Sequence, residues 1–422
     1  MYALVDCNSF FCSVEKVFHP GLSGKPVVVL SSNDGCIVAL TEEAKRLGLR
    51  RGNPAFKVKG ILENNNVAVF SSNMMLYASM SKRITSILRK SLHNVENYSI
   101  DESFCNLSGY EKQYDLVSLM RGVSERIRLW TDVPVSVGIA STKTLAKVAN
   151  KFAKKYDGYY GVCMIDDDFK RRKALSMLDL SDVWGIGRRT YDKLLRLGVS
   201  TPLEFADRDE SWVRSHLEKP GLQTWLELNG QDCIDVSEPV INQSVCTSRS
   251  FGEMVSELSS LKASVASFAG SCANKLRGQG ALAGSVTVFI CSNRFRTDLE
   301  QYANSAVWTF AVPTSDTVEI TKAAIKALES IYVPGIMYKK SGVVVSDISS
   351  ASLFQTELFD TLRNRAERST LMKTIDSLNH KYGLKTVRLI VEDSDDVRWK
   401  VKCGHRSRNY LTDINDILTV KA

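Results

Sequence analysis

Two acidic residues stand side by side at Asp101 and Glu102, inside the stretch Tyr98-Ser99-Ile100-Asp101-Glu102-Ser103-Phe104. Extended-type runs flank them, from Val95 to Ile100 and from Phe104 to Leu107. A third acid, Asp6, closes the short apolar run at residues 2–5. Neighbouring carboxylates repel each other, and a divalent cation relieves that repulsion. Three carboxylates drawn from two strands suit Mg²⁺, which takes hard oxygen ligands in an octahedron. A pair of such ions clamps the attacking and leaving oxygens of an in-line displacement at phosphorus. A solvated hairpin tip plus an unrelated strand-end Asp would account for the same residues without a metal.

Two basic features could meet phosphate. Lys143, Lys147 and Lys151 recur every four residues, followed by Lys154 and Lys155, and residues 141–155 contain no acid. On a helix, positions four apart share a face, so this is a positive stripe fit for a triphosphate or a nucleic-acid backbone, or simply for solvent. The run Val183-Trp184-Gly185-Ile186-Gly187-Arg188-Arg189 precedes a helical pattern that ends at Leu197-Gly198-Val199. It resembles a helix-hairpin-helix, in which glycines let the backbone approach a phosphate and the next helix offers free N–H groups. Such readout is independent of sequence. A plain helical turn is the alternative.

The elements that would position these residues alternate. Helical patterns follow Asp6 to His19, and span 41–47, 74–92, 115–130 and 142–156. Strand patterns fall at Val27–Leu30 and Val133–Ala140. This predicts a mixed α/β region. Residues 167–230 read as mostly helical, and 231–244 as a linker containing Pro239. The α/β pattern returns at 245–348, with strands near 284–291, 306–312 and 341–347 and helices near 257–277 and 318–331.

A chain of 422 residues argues for several domains and needs no disulfides to bury a core. Lys and Arg total 55 against 47 for Asp and Glu, a net charge of +8, which permits a polyanionic partner without demanding one. With 44% hydrophobic and 24% charged residues, a disordered or collagen-like chain is excluded. The ten cysteines form no C-x-x-C pair and read as reduced thiols; Cys403 with His405 is too little for a zinc site. The N-terminus does not read as a signal peptide and no apolar run reaches membrane-span length, so the expected location is cytoplasmic.

Taken together, the motifs resemble those of the Y-family, lesion-bypass DNA polymerases, of the UmuC type. The matching stretches begin with Asp6-Cys7-Asn8-Ser9-Phe10-Phe11, Gly24-Lys25-Pro26-Val27-Val28-Val29-Leu30-Ser31, Asn33-Asp34-Gly35-Cys36 and Phe70-Ser71-Ser72-Asn73. They continue through Ser99-Ile100-Asp101-Glu102, Thr142-Lys143-Thr144-Leu145-Ala146-Lys147, Asp182 to Arg189, and Ser248-Arg249-Ser250-Phe251-Gly252-Glu253. The resemblance covers nearly the whole chain.

It implies that Asp6, Asp101 and Glu102 bind two Mg²⁺ ions, with the Cys7 carbonyl also reaching a metal, for template-directed addition of dNTPs across damaged template without proofreading. It places Phe11 at a steric gate that excludes a 2′-hydroxyl, Phe10 beside the nucleotide, and Lys45 and Lys154 at the triphosphate. Lys45 stands where many relatives carry Arg, and Lys lacks the bidentate fork. Glu42 stands where many have a phosphate-contacting Tyr, and Asn106 replaces a frequent Asp. Gly185, Ile186, Gly187 and Arg188 would hold DNA.

The implied architecture is an α/β multidomain right hand. It has a mixed α/β palm at 1–18 and 74–166, small fingers at 19–73 and a helical helix-hairpin-helix thumb at 167–230. A linker at 231–243, an α/β little finger at 244–350 and a tail at 351–422 follow. In that tail Gln355, Leu358 and Phe359 resemble a sliding-clamp peptide. Other implied partners are a cleaved UmuD-like dimer and RecA, at the nucleoid. A non-enzymatic DNA-binding scaffold, or a palm-fold cyclase, would share some of these motifs.

Overall fold

The computed structural model describes residues 1–235, 242–351, 364–383, 385–393, 398–411 and 413–417. The chain divides into two compact units. The first comprises Met1–Ser31, Gly35–Glu238 and His405–Ala422; the second comprises Ser32–Asp34 and Pro239–Gly404.

In the first unit the elements run β1 (Tyr2–Cys7), α1 (Phe10–Phe18), β2 (Val27–Leu30), β3 (Ile37–Leu40), α2 (Glu42–Arg46), α3 (Ala55–Asn64), β4 (Ala68–Ser71), α4 (Met74–Ser91), β5 (Asn94–Asn97) and β6 (Glu102–Asn106). They continue with α5 (Leu116–Thr131), β7 (Val135–Ala140), α6 (Lys143–Lys155), β8 (Val162–Ile165), α7 (Asp168–Met177), α8 (Arg188–Arg196), α9 (Pro202–Ala206), α10 (Glu210–His216) and α11 (Lys219–Leu228).

A five-stranded sheet in the order β5-β6-β1-β7-β8 carries the site. β1 lies antiparallel to both β6 and β7. Side chains alternate along a strand. Ala3, Val5 and Cys7 of β1 therefore face a core built with Leu76, Met80 and Ile84 of α4 and Met120 and Ile127 of α5. Leu4 faces the other way, into a core with Phe104 and with Leu145, Ala149 and Phe152 of α6. Asp6, two residues after Leu4, falls on the α6 side. A smaller sheet, β3-β2-β4, is buried on both faces of β2, which explains its unbroken apolar run Val27–Leu30.

Helices α7 to α11 extend the α6-side core through Leu175, Leu194, Phe205, Val213 and Leu228. Gly185 has φ +92°, and a Cβ there would stand 2.2 Å from Thr224 Oγ1. Only glycine fits that turn.

The second unit contains β9 (Ser244–Val255), α12 (Leu258–Gly278), β10 (Ala281–Ser292), β11 (Ala303–Thr314), α13 (Thr317–Ile331), β12 (Tyr338–Ser350) and α14 (Arg365–Tyr382). Its sheet is antiparallel in the order β11-β10-β12-β9, and α12 and α13 pack on one face around Phe251, Phe268 and Tyr338. The strand expectations at 284–291, 306–312 and 341–347 coincide with the middles of longer strands. Ion pairs hold α14: Arg277 with Asp376 at 2.7 Å, Arg365 with Glu319 at 3.2 Å and Arg368 with Asp316 at 2.7 Å. All ten cysteines are unpaired. Among the described residues no helix is long and apolar enough to cross a membrane.

Candidate active site

The antiparallel register of β1 and β6 sets Asp6 directly opposite Glu102. Asp101 precedes β6 in a tight turn, where the Tyr98 and Ser99 N–H groups donate to the Glu102 carbonyl at 3.1 and 3.0 Å. Ser99 Oγ accepts from the Glu102 N–H at 3.1 Å and donates to Asp101 Oδ1 at 2.6 Å. Cys7 N–H donates to the Asp101 carbonyl at 2.9 Å, which ties the turn to the end of β1. Three carboxylates thus converge from two adjacent strands. Burial pushes the Asp6 carboxyl above its usual range; Lys154 opposes this, while Glu102 and Asp101 add to it.

Lysines from α6 balance that charge. Lys154 Nζ lies 2.7 Å from Asp6 Oδ1, and Lys147 Nζ lies 2.7 Å from Glu102 Oε1. Lys147 is also boxed by rings, 4.6 Å from the Tyr98 centroid, 5.4 Å from Trp184 and 5.7 Å from Phe104. Trp184, next to Gly185, donates to the Tyr98 hydroxyl at 3.1 Å.

Helix α6 reaches the carboxylates because Gly138 lets it lie against β7. A Cβ on Gly138 would stand 2.1 Å from the Ala146 carbonyl and 2.2 Å from Asn150 N. Asn150, buried, donates through Nδ2 to the Ser136 carbonyl at 2.7 Å and the Leu4 carbonyl at 3.5 Å. These contacts fix the two turns of α6 that carry Lys147 and Lys154.

The stripe expected on α6 is closed off at Lys143 and Lys147 and opens to solvent only from Lys151 onward. The Lys143 side chain is 3% exposed and pairs with Glu96 at 3.1 Å, and Lys151 pairs with Asp182 at 2.6 Å. The four-residue period was correct, but the face it marks turns toward acids.

Comparison with known proteins decides the family. The impB/mucB/samB family profile matches residues 5–151, and the profile of its C-terminal domain matches 242–358. A domain of unknown function matches 369–420. The chain is 40% identical to UmuC of Salmonella typhimurium over 427 aligned residues, covering 100% of each. The chain belongs to the impB/mucB/samB family. Its relatives are Y-family polymerases, and it is of the UmuC type. It is also 33% identical to DNA polymerase IV of Saccharolobus solfataricus over 202 residues, covering 46% of this chain and 55% of that one. Among solved structures, a Y-family DNA polymerase chimera of Dbh and Dpo4 matches with TM-score 0.65 and 21% identity, covering 83% of this chain and 99% of that one. The fold is that of the Y-family, and the protein is a DNA-directed DNA polymerase of translesion synthesis.

Within this UmuC-type chain the remaining expected residues fall as follows. Phe11 is half buried and stacks flat on Tyr77, with centroids 4.5 Å apart and planes at 14°. Phe10 is 3% exposed in the core, so only its backbone can meet a nucleotide. The Cys7 side chain is also in the core, and burial pushes its thiol far up, so only its carbonyl remains as a ligand. Lys45 pairs with Glu42 at 2.5 Å on an exposed helix face. The Glu42 departure therefore offsets the Lys45 charge, although a surface pair of this kind opens cheaply. Ile186 is buried, Gly187 caps α8, and Arg188 is 95% exposed. Gln355, Leu358 and Phe359 lie outside the described residues.

Among the described residues no three His, Cys, Asp or Glu side chains are gathered closely enough to hold a metal as they stand. Two of the three carboxylates carry lysine counter-ions instead. The donors are nonetheless all hard oxygens crowded by like charge, which is the chemistry a divalent cation fits. Sequence reasoning missed Ser99, Lys147 as a partner of Glu102, and Asn150. Asn150 had a signal: a lone amide on the apolar face Ala146, Ala149, Phe152 and Ala153.

Proposed function

We propose that Asp6, Asp101 and Glu102, with the Cys7 carbonyl, hold two Mg²⁺ ions at the primer terminus. The chemistry such ions supply is a lowered pKa at the primer 3′-hydroxyl and neutralised charge on the departing pyrophosphate. Lys154 is placed to receive triphosphate. An ammonium has three donors, so its bond to Asp6 leaves capacity for a phosphate oxygen. Lys45 joins it once its weak pair with Glu42 opens. Phe11, half buried on Tyr77, serves as the ring that excludes a 2′-hydroxyl. Gly185 and Gly187 bring the hairpin backbone near a DNA phosphate, and Arg188 adds an exposed charge.

In domain terms the β5-β6-β1-β7-β8 sheet is the palm, β2 to β4 with α2 and α3 are small fingers, α7 to α11 are the thumb, and β9 to β12 belong to the little finger. Small fingers leave the nascent pair loosely enclosed, which suits damaged templates. We further assign the 355–359 peptide to a sliding clamp and the tail to a cleaved UmuD-like dimer and RecA, at the bacterial nucleoid.

The observation that carries this reading is the register of Asp6 opposite Glu102, with Asp101 in the adjoining turn. Primer extension opposite an abasic site in Mg²⁺ tests it. Wild type should extend, and Asp101→Ala should bind DNA normally and lose extension. Equal inactivity of both, with DNA binding intact, would favour a scaffold that keeps the fold.

A further inference from the structure

After its second unit the chain returns to the first. The His405 N–H donates to Ser71 Oγ at 2.9 Å, the His405 carbonyl accepts from the Ser71 N–H at 3.0 Å, and Arg406 bridges Ser71 in parallel register. Asn73 is fully buried at the N-cap of α4. It donates through Nδ2 to the Ser407 carbonyl, Ser407 Oγ and the Arg408 carbonyl at 3.1, 3.2 and 3.3 Å. Tyr410 stacks on Phe18 at 4.6 Å, and Tyr410 and Leu411 pack against the core behind β1. Residues 405–411 fall in the match to a domain of unknown function.

The returning segment touches one further group. Ser407 Oγ donates to Glu15 Oε1 at 3.0 Å, and the Tyr77 hydroxyl donates to the same oxygen at 2.6 Å. Glu15 and Tyr77 are each fully buried, and Glu15 Oε2 has no partner among the described residues. One carboxylate oxygen thus gathers both hydroxyls. The other face of this relay is the stack of Phe11 on the Tyr77 ring.

We propose that Ser407 is a positioning residue for sugar selection, acting through Glu15 and Tyr77 to fix the ring of Phe11. The proposal rests on Phe11 being the gate. A gate that excludes one oxygen works on displacements of about an ångström, where geometry weighs heavily on rate. A buried carboxylate held by two hydroxyls cannot rotate freely. Held by one, it keeps its packing but loses a restraint, and the Tyr77 hydroxyl shares the added freedom. The tail thereby sets how tightly the gate ring is held, although it touches no substrate.

The test compares incorporation of a dNTP and the matching ribonucleotide by the full chain on an undamaged primer-template. In Ser407→Ala the ribonucleotide-to-deoxynucleotide ratio of kcat/KM should rise about threefold to tenfold, the weight of one hydroxyl hydrogen bond expressed as a rate ratio. Ser407→Thr keeps the hydroxyl and should restore the wild-type ratio. Phe11→Ala alone should raise the ratio further, and adding Ser407→Ala to it should change nothing more, since the relay then has no ring to hold. A purely structural role would lower both incorporations equally and lower the melting temperature, and that result overturns the proposal. So does an unchanged ratio in Ser407→Ala while Phe11→Ala relaxes selection. If Phe11→Ala leaves selection intact, the gate reading itself fails and the relay falls with it.

Discussion

Gly138→Ala places a methyl where the structure has no room, and the consequences can be worked through. The new Cβ would stand 2.1 Å from the Ala146 carbonyl oxygen, 2.2 Å from Asn150 N and 2.8 Å from Asn150 Cα. All three are backbone atoms of one helix, so no side chain can swing aside. Helix α6 must lift from β7 by an ångström or more. Overpacking of this kind costs about 1–3 kcal/mol. The lift also breaks the Asn150 bond to the Ser136 carbonyl, worth about 1 kcal/mol. The total is roughly 2–4 kcal/mol, which in a unit of this size lowers the melting temperature by roughly 5–15 °C. Lys147 and Lys154 ride on the same helix and lose their places at Glu102 and Asp6. A displacement of about 1 Å can lower incorporation about 100-fold even below the melting point. Gly122 on α5 is the control. Its Cβ would meet nothing within 4 Å, so Gly122→Ala should stabilise by about 0.4–1 kcal/mol. Thermal melts and single-nucleotide incorporation read both effects. A Gly138→Ala protein with wild-type melting and wild-type incorporation would refute the claim that this close approach positions α6.

Other outcomes can be checked independently. Deleting 355–359 should abolish clamp-stimulated synthesis while distributive synthesis persists; equal loss of both would argue against a docking peptide. The attachment of α14 should weaken in acid. Burial pushes the Asp316 and Asp376 carboxyls up, but Arg368 with the α13 N-terminal N–H groups, and Arg277 with Asn274, outweigh it and leave both below their ordinary range. A carboxyl lowered on folding adds stability above its unfolded pKa, about 3.9, and loses it as pH falls through the folded value. The melting-temperature gap between wild type and Asp376→Asn should therefore be full near neutrality and shrink below about pH 3.9. A gap that does not change with pH would show that the Arg277 pair is not its source.

The parts of this molecule legible in sequence were those encoded locally. Asp101 and Glu102 stood out because two extended runs bracket them, and β5 and β6 do flank that turn. The period of Lys143, Lys147 and Lys151 placed them on one helix face, but periodicity cannot say what that face meets. Here it meets Glu96, Glu102 and Asp182. Strand β9 escaped notice because its burial follows no two-residue alternation. Helix α14 escaped because only Met372 is buried on it and ion pairs do the holding. The bonds from Asn73 to Ser407 join residues separated by 334 positions, a distance over which no local pattern carries information.

That last separation has a consequence for how the protein comes into being. A chain leaves the ribosome from its N-terminus, at about 5–20 residues per second, and its parts fold as they emerge. The sheet carrying Asp6, Asp101 and Glu102 is made early. The segment from His405 to Leu411 is made only after the whole of β9 to α14. Until it arrives, the Asn73 amide lacks its bonds to Ser407 and Arg408, Glu15 keeps only Tyr77 of its two hydroxyl donors, and Phe18 lacks the stacked ring of Tyr410. The core at these residues is therefore completed only after the second unit has been made. A chain stopped before residue 405 would carry the carboxylates without the Ser407 contact to Glu15 and the Tyr410 stack on Phe18, so the order of synthesis separates making the carboxylate sheet from completing the core beside it.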